Sequence, residues 1–342
     1  NVLSTNVAET SLTVPGIHFV VDTGLARISR FNPRTKVQRL LVESISRASA
    51  DQRKGRCGRI APGTCIRLYS EQDFLERGEF TEPEIMRSNL AGVILRMKGL
   101  RLGRVESFPF VEAPDVRQVR EGYRTLHELG AVTEEGDLTP LGERLAKFPI
   151  DPRIGRMVLA GADEGSLHDV LIVAAALSVQ DPRERPFEKQ DLADEAHEKF
   201  TDEVSDFLTL IHLWKAFHRP EKSLSHSRLR RWCKDNFLSY LRLREWHDVH
   251  RQIREVADQM GLKVGQGSGD AERLHRALLT GLISNVGQKT DTPEYRGPHG
   301  IRFFIFPGST LFEERPLWVM SAELVQTSRL YARTLAPTKP EW

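Results

Sequence analysis

The chain has 342 residues, of which 39% are hydrophobic and 28% are charged; this length suits several domains, and these fractions are those of globular proteins. Its net charge of +2 excludes a polycation that binds nucleic acid through its overall charge. No apolar run is long enough to cross a bilayer, no secretory signal is visible, and Cys57, Cys65 and Cys233 lack CxxC spacing. We therefore expect a cytoplasmic protein without a membrane span, a disulfide or a cysteine-based zinc site.

The N-terminal part of the chain alternates strand and helix patterns, which predicts an α/β fold. The predicted elements are a strand end at 1–5, a buried strand at 19–21, hairpin strands at 27–31 and 36–42 around a turn at Asn32 and Pro33, a helix at 48–55 and a strand at 64–69. The hairpin carries several basic residues. The hairpin has either a functional role or the purely structural role of a meander.

Residues 51–59, DQRKGRCGR, hold the densest group of candidate functional side chains. Its cations are interleaved with two glycines and are Arg53, Lys54, Arg56 and Arg59. Four cations this close repel one another unless an anion lies among them, and arginine binds phosphate oxygens through paired hydrogen bonds. From Arg27 to Arg67 there are eleven lysines and arginines against Glu43 and Asp51, which indicates a phosphate-facing surface. A solvated basic helix face remains the structural alternative.

A second motif lies upstream, where residues 4–13 read STNVAETSLT before the apolar run. Together the two segments resemble motifs V and VI of the superfamily 2 helicases, in the version of the DEAH-box RNA helicases. The resemblance is nearest to the bacterial HrpA type and extends over the whole chain. It implies that the chain is a fragment that begins inside the second RecA-like domain.

The resemblance also implies roles for the residues of the second motif. Arg56 and Arg59 would be arginine fingers on the phosphates of a bound nucleotide, and Gln52 would position the attacking water or a γ-phosphate oxygen. These three residues are the predicted catalytic set, and Arg53 is expected to hold the local fold.

In the first motif, Thr10 and Ser11 would lie near the γ-phosphate and Mg²⁺ and complete the nucleotide-binding set. Thr5 would contact an RNA phosphate and Asn6 would orient the turn, which makes these two the predicted RNA-binding residues. Glu9 is expected to satisfy backbone donors.

The chain differs from the pattern of a complete DEAH-box helicase in two respects. No P-loop of the GxxxxGK[ST] type and no Walker B strand occur in the chain. The cofactor implied is ATP or another NTP with Mg²⁺, the Mg²⁺ being held mainly by an upstream domain, and no metal site is predicted here. Pro15 stands where many eukaryotic members of the family have an aspartate that touches the ribose, so ribose contact is in doubt.

Residues 194–197 spell DEAH, the signature of the family, but we interpret this copy as a coincidence. A functional copy ends an apolar strand beside a P-loop. This one follows a polar, helix-like segment and comes after motif VI. An HExxH zinc site is excluded as well, because no second histidine follows at that spacing.

The remainder of the chain changes from mixed patterns to helices and then to strands. Residues 84–98 and 116–129 predict helices, the latter ended by Gly130, and short strands are predicted at 131–133 and 138–142 around a tight turn, which suggests a winged helix. From 151 to 260 the pattern is nearly all helical, with predicted helices at 154–162, 167–177 and 203–217 and a basic block at 226–254 whose aromatics have helical spacing. The helix at 167–177 is apolar all round and should be buried, and the aromatics of 226–254 are predicted to be core. A helix at 271–282 and strands at 283–289, 301–306, 317–322 and 328–335 predict a small barrel.

The predicted fold class is multidomain, α/β plus mostly α. The predicted domains are the C-terminal half of a second RecA-like domain (1–78), a winged helix (79–150), a ratchet-like helical bundle (151–269) and an OB-fold barrel (270–342). The implied function is part of an ATP-dependent RNA helicase that moves 3′ to 5′ on single-stranded RNA and unwinds duplexes. The implied partner is single-stranded RNA or a tailed duplex, bound by a monomer.

Two alternatives stay open. The chain could be a non-catalytic module that binds RNA or single-stranded DNA, although such a module has no need for Gln52, Arg56 and Arg59 at this spacing. It could also belong to a DNA-directed member of the same superfamily, which the ligand's 2′-hydroxyl would distinguish. Without the P-loop, the 342 residues alone are expected to be inactive in hydrolysis.

Overall fold

The structure is a computed structural model that describes residues 2–10, 14–32, 37–221, 224–267 and 269–342. The chain divides into two compact units. Unit 1 comprises Asn1–Asn89 and Phe110–Asp115, and unit 2 comprises Leu90–Pro109 and Val116–Trp342. Within the described ranges, no helix combines the length and apolar character that a membrane span requires.

Unit 1 has the predicted α/β character. Its elements are α1 (Val7–Thr10), β1 (Phe19–Asp22), β2 (Leu25–Asn32), β3 (Val37–Ser44), α2 (Arg47–Lys54), β4 (Thr64–Arg67) and α3 (Glu71–Glu76), with a 3-10 turn at Glu84–Met86. β1 pairs with β4 in parallel, and β2 pairs with β3 antiparallel from Leu25↔Ser44 to Asn32↔Val37. The predicted hairpin is therefore confirmed, while its turn at 33–36 lies outside the described residues.

The prediction of a buried strand at 19–21 is half wrong. The strand is present, but Phe19 is 72% exposed and Val21 is 61% exposed. Among the described residues β1 has only β4 as a ladder partner, so the two-stranded ribbon leaves apolar side chains uncovered. The predicted strand end at 1–5 is also not found, because described residues 2–5 have no regular structure and lead into α1.

Unit 2 contains most of the helices and a barrel. The helices are α4 (Ala91–Gly99), α5 (Val116–Glu128), α6 (Pro140–Leu145), α7 (Pro152–Asp163), α8 (Leu167–Leu177), α9 (Gln190–Glu198), α10 (Asp206–Glu221), α11 (His226–Asp235), α12 (Tyr240–Gln259) and α13 (Ala271–Leu282). Its 3-10 turns are Val105–Ser107, Phe187–Lys189, Ile283–Asn285 and Pro298–Gly300. The strands are β5 (Val286–Lys289), β6 (Tyr295–Arg296), β7 (Arg302–Ile305), β8 (Trp318–Gln326) and β9 (Leu330–Pro337).

Two predicted elements near the start of unit 2 need correction. The single helix predicted over 84–98 is a 3-10 turn followed, after a break, by α4. Ser88 and Asn89 lie in that break, and their side chains favour turns over helix interiors. The strand predicted over 138–142 is one bridge, Val132↔Leu138, followed by α6. Thr139 is the N-cap of α6 and its side chain accepts a 3.0 Å bond from the Gly142 amide, a capping signal that the strand assignment overlooked.

The end of α5 matches the prediction closely. Gly130 has φ +72°, the left-handed conformation that favours glycine. Its amide donates to the His127 carbonyl at 2.9 Å, and the Ala131 amide donates to Leu126 at 2.8 Å. These two bonds form the Schellman pattern that terminates a helix.

The helical bundle is built around α8, whose described side chains are buried almost throughout. The indole of Trp246 on α12 is fully buried and donates to the Ile172 carbonyl at 2.9 Å. The helical block predicted at 226–254 consists of two helices, α11 and α12, separated where Phe237 adopts φ +50°. Trp246 confirms the prediction that aromatics are core, whereas Trp232 and Tyr240 are half-buried.

The C-terminal strands close into a five-stranded barrel in the order β5-β6-β7-β9-β8, with β8 returning to β5. All pairings are antiparallel except β7 with β9. The sequence prediction of a barrel is confirmed, and the two-residue strand β6 was missed because it is too short to show a period. Phe303 is fully buried, whereas Phe304 and Phe306 are half-buried.

The barrel is tied to the helical bundle by one buried carboxylate at the start of α10. Asp206 accepts bonds from the Ser309 hydroxyl (2.7 Å), the Thr310 amide (3.0 Å) and hydroxyl (3.1 Å), and the Leu335 amide (2.8 Å). A buried carboxylate is tolerated where its oxygens are fully hydrogen-bonded.

Candidate nucleotide and nucleic-acid site

Arg53 is the centre of the hydrogen bonds around the predicted site. From the last turn of α2 its guanidinium reaches the N-terminal turn (residues 5–10), where it donates to Glu9 Oε2 at 3.0 Å and to Asn6 Oδ1 at 3.1 Å. It also donates to Asp22 Oδ1 at 2.8 Å and to the Leu25 carbonyl at 3.2 Å. One side chain thus joins α2, the N-terminal turn and the end of β1, which supports the predicted structural role of Arg53.

Asp22 anchors this network in the interior of unit 1, where it is 2% exposed. Its carboxylate also accepts from the Gly24 amide at 2.9 Å and from the Tyr69 hydroxyl at 2.9 Å. Burial raises the pKa of Asp22, but the hydrogen bonds from Gly24, Arg53 and Tyr69 outweigh it and leave the pKa below its usual value. Burial together with the bond to Asp22 raises the pKa of Tyr69 to about 12. Both groups therefore keep their neutral-pH charge states across the physiological range.

Arg56 lies beside the same turn, but one of its guanidinium nitrogens has no hydrogen-bond partner among the described residues. Its Nη2 donates to the Glu9 backbone carbonyl, while its Nη1 is buried and has no hydrogen-bond partner among the described residues. Glu9 is therefore held by two arginines, through its side chain by Arg53 and through its carbonyl by Arg56. The Glu9 carboxylate pairs with the Arg53 side chain, and the prediction that it satisfies backbone donors stays a prediction.

The other predicted site residues are exposed. Thr5, Asn6 and Thr10 lie on the N-terminal turn, which is closed by amide bonds from Ala8 to Thr5 and from Glu9 to Asn6. Ser11 lies outside the described residues. Gln52 on α2 and Arg59 beyond its end are also exposed. A methyl group added at Gly58, between the predicted fingers, would meet no atom within 4 Å, so the backbone there is open to a ligand.

A small cleft brings together part of the predicted set. It has a volume of about 290 Å³, and Asn6, Glu9 and Thr10 of the N-terminal turn are among its lining residues. The base of the hairpin at 26–28 and Ser49 of α2 also line it. Asn6 and Thr10, predicted from the resemblance to contact RNA and nucleotide respectively, thus share one cleft, whereas Gln52, Arg56 and Arg59 are not among its described lining residues.

The positive surface predicted from the count of cations is smaller than the sequence suggests. Arg30 pairs with Glu43 and Glu82, and the hydrogen bonds that it donates to these carboxylates raise the pKa of Arg30. Arg67 pairs with Asp51 at 2.7 Å and lies over the Phe74 ring. Glu43 and Asp51 were counted in the segment from Arg27 to Arg67. The other acids that pair with its cations, Glu82, Glu9 and Asp22, lie outside that segment, so the count missed them.

The DEAH copy at 194–197 lies on the surface helix α9, not at the end of a strand. Asp194 forms a bidentate pair with Arg185 at 2.6–2.7 Å, and His197 Nε2 lies 3.0 Å from the Phe237 carbonyl. These contacts are structural, as the interpretation of the copy as a coincidence requires.

The barrel carries a second set of aromatic and basic side chains that sequence reasoning did not select. Arg329 lies 4.9 Å from the Phe304 ring and Arg333 lies 4.4 Å from the Phe306 ring. Tyr331 packs near both rings, with centroids 6.2 Å from Phe304 and 6.1 Å from Phe306. Half-buried rings flanked by arginine are the side chains on which bases stack in OB-folds.

Comparison with family models agrees with the architecture of unit 2. Residues 123–150 match the winged-helix part of the helicase associated domain (HA2), 151–210 match its ratchet-like part, and 274–342 match an oligonucleotide/oligosaccharide-binding (OB) fold. The predicted winged-helix, ratchet-like and barrel parts are thereby confirmed.

Comparison with curated proteins finds relatives along the entire chain. The chain is 54% identical to the ATP-dependent RNA helicase HrpA of Escherichia coli (strain K12) over 347 residues, which cover 100% of this chain and 27% of that protein. It is 51% identical to the HrpA homolog of Haemophilus influenzae, again over 100% of this chain and 27% of the relative. It is 34% identical to the probable ATP-dependent RNA helicase DHX35 of Homo sapiens, over 100% of this chain and 48% of that protein.

Proposed function

Because this chain belongs to the family of HrpA-type DEAH-box RNA helicases, we propose that it is the part of such a helicase that contacts the nucleotide phosphates and binds RNA. The full-length protein couples hydrolysis of ATP or another NTP, with Mg²⁺, to 3′-to-5′ movement on single-stranded RNA and to duplex unwinding. It works as a monomer in the cytoplasm. The part contributed by this chain comprises half of a RecA-like domain (1–78), a winged helix (79–150), a ratchet-like bundle (151–269) and an OB-fold (270–342).

The proposed nucleotide contact is supported by Arg56, whose buried Nη1 has no hydrogen-bond partner among the described residues. A buried guanidinium nitrogen without a partner costs free energy, and a phosphate oxygen would supply that partner. In phosphoryl transfer, catalysis comes from positioning and from cations that offset charge on the transferred group. Arg56 and Arg59 fill the role of those cations, and Gln52 orients the attacking water. Thr10 and Ser11 would lie near Mg²⁺, which would supply further positive charge to offset the charge on the phosphates.

The RNA half of the proposal rests on the N-terminal turn. Thr5 and Asn6 are exposed at its start and Thr10 at its end. Arg53 and Arg56 hold the intervening Glu9 from two sides. Movement of Arg56 on binding or losing the γ-phosphate is therefore transmitted to the residues that touch RNA. The N-terminal turn would thus respond to both nucleotide and RNA, as coupling between the two binding sites requires.

The aromatic and basic face of the barrel adds a second RNA contact. Phe304, Phe306 and Tyr331 offer rings for stacking, and Arg329 and Arg333 offer cations for the backbone. Stacking contributes about 1–3 kcal/mol per base without regard to sequence. A motor that must step along any RNA needs contacts of this kind.

The test is strand separation by the full-length protein on duplexes that carry a single-stranded tail at either the 3′ or the 5′ end. We expect ATP-dependent unwinding of the 3′-tailed duplex only, lost in Arg56→Ala and kept in Lys54→Ala. Lys54 is an exposed cation two residues away, so it controls for the loss of one positive charge. Equal unwinding of both duplexes would refute the direction. RNA binding without any ATP-dependent unwinding would leave the non-catalytic binding module.

A further inference from the structure

A group of side chains in unit 2, outside the proposed motor site, has the composition of a metal centre. His218 and Glu221 lie on α10, and His247 lies on α12. One ligand atom of each residue lies within 4.8 Å of the other two. It is the only group of three such side chains with this geometry in the described part of the chain. We propose that these three residues bind a divalent transition metal ion, with zinc as the physiological ion.

The orientation of His218 is the one that ligating histidines adopt. Its Nδ1 lies 3.0 Å from the Trp214 carbonyl, one helical turn back along α10. An Nδ1–H bonded to a backbone carbonyl fixes the tautomer in which Nε2 carries the lone pair. That Nε2 lies 3.6 Å from Glu221 Oε2. The second nitrogen of His218 therefore faces the carboxylate with which it would share the ion.

The carboxylate of Glu221 is held in a matching way. Its Oε1 accepts a 3.2 Å bond from Arg244 Nη1 on α12, whereas Oε2 is the oxygen directed at His218. Ligating carboxylates are commonly hydrogen-bonded through the oxygen that does not bind the metal. Arg244 thus orients Glu221 and leaves the ligating oxygen in place.

His247 completes the set from the facing helix. Its Nδ1 is buried and has no hydrogen-bond partner among the described residues, and the nearest carboxylate, Asp248, is 3.8 Å away. Its ring stacks on Trp214 at 6.2 Å and lies 5.5 Å from the His218 ring. The imidazole is therefore positioned by packing and is not committed to hydrogen bonds within the fold, so a lone pair is available to an ion.

The distances fit a tetrahedral zinc ion. Zinc–nitrogen and zinc–oxygen bonds of about 2.0–2.1 Å place neighbouring ligands of a tetrahedron about 3.4 Å apart. The His218–Glu221 separation of 3.6 Å is already close to this value. The ligand atoms lie up to 4.8 Å apart, so binding of the ion requires side-chain rotations that shorten the longest separation. Two imidazoles and one carboxylate suit zinc better than the all-oxygen sites that Mg²⁺ and Ca²⁺ prefer.

The three side chains are 19–32% exposed, which gives an ion a route of entry and leaves a fourth position for water. An ion at this position cross-links α10 to α12. Because metal-binding free energy adds to folding free energy, the expected effect is a firmer contact between these two helices of the bundle. The site is independent of the proposed motor function.

The experiment is zinc titration of the metal-free 342-residue chain by calorimetry. The variants are Glu221→Gln, His218→Ala and His247→Ala, with His212→Ala as the matched control. His212 is a half-exposed histidine of α10 whose nearest carboxylate is Asp202 at 3.8 Å, so its removal lowers the histidine count without touching the triad. Glu221→Gln keeps the shape of the side chain and its bond to Arg244, so it decides the matter if either alanine variant misfolds.

We expect one zinc ion per chain in the parent and in His212→Ala, and at least about a tenfold weaker affinity in each triad variant. Zinc should raise the thermal midpoint of the parent and the control but not that of Glu221→Gln. Cobalt substituted for zinc should give the visible absorption of a tetrahedral site without a thiolate band. Absence of stoichiometric zinc binding by the parent, or equal affinity in all variants, would overturn the proposal and leave only adventitious binding to surface histidines.

Discussion

Replacement of Arg53 by alanine should unfold the candidate site locally, because it leaves two carboxylates without their cation. Asp22 is 2% exposed and Glu9 has a side chain 13% exposed, so neither can be solvated in place. Removing one partner of a buried ion pair costs about 3–5 kcal/mol. The Arg53 side chain is itself 15% exposed, which places the expected loss near the lower limit, at about 3 kcal/mol.

The assay must report on unit 1. All five tryptophans, Trp214, Trp232, Trp246, Trp318 and Trp342, lie in unit 2, so tryptophan fluorescence would not register the change. Amide hydrogen exchange of α2 and of Gly24 is the suitable measurement, since exchange resolves local opening.

Two further variants give the comparison. Lys54→Ala should change the free energy of opening measured by amide exchange by no more than about 0.5 kcal/mol, because Lys54 is exposed. Arg53→Lys keeps the charge but cannot reproduce four directed hydrogen bonds, so it should recover only part of the loss. Equal protection of the α2 amides in Arg53→Ala and Lys54→Ala would refute the role assigned to Arg53.

Three other predictions follow from single positions. Burial lowers the pKa of His275 to about 4, although the charge of Asp202 opposes the shift. Unfolded histidine titrates near 6.5, so stability should hold above pH 6.5 and fall by up to about 3 kcal/mol between pH 6.5 and 4; in His275→Gln, denaturation followed by tryptophan fluorescence should lose this slope. Gly24 has φ +69° and an added methyl would lie 2.6 Å from the Tyr69 ring. Gly24→Ala should therefore lower the free energy of opening measured by amide exchange in β1 and β2 by at least about 2 kcal/mol. Gly58→Ala should leave thermal stability within about 0.5 kcal/mol yet reduce ATP turnover of the full-length protein, and unchanged turnover would contradict a close ligand approach at that backbone.

Local features of the chain were predictable because their causes are local. The hairpin, the glycine that ends α5, the apolar helix α8 and the barrel strands follow from period, turn chemistry and composition. Wrong assignments occurred where two local signals competed. Residues 138–142 follow a tight turn, as the second strand of a hairpin would, but the Thr139-Pro140 cap with its bond from the Gly142 amide selects a helix.

Contacts between distant parts of the chain were not predictable from sequence spacing. Arg53 meets Glu9 and Asp22 across 44 and 31 positions, and no local pattern specifies these pairs. The Arg-rich motif predicted a ligand site from residue types, and the family resemblance assigned a structural role to Arg53. The partners of Arg53 and the unpaired nitrogen of Arg56 emerged only from the folded geometry. The same holds for the His218–Glu221–His247 group, because its members come from two helices that meet only in the folded bundle.

The most direct measurement is ATP hydrolysis by the full-length protein with and without single-stranded RNA, made in parallel on Arg56→Ala and Lys54→Ala. We expect strong RNA stimulation in the parent and in Lys54→Ala. In Arg56→Ala we expect a turnover lower by about a thousandfold or more, with RNA binding intact. Hydrolysis in Arg56→Ala at the level of Lys54→Ala would contradict the assignment of Arg56 to the phosphates, and with it the proposed route from nucleotide to RNA.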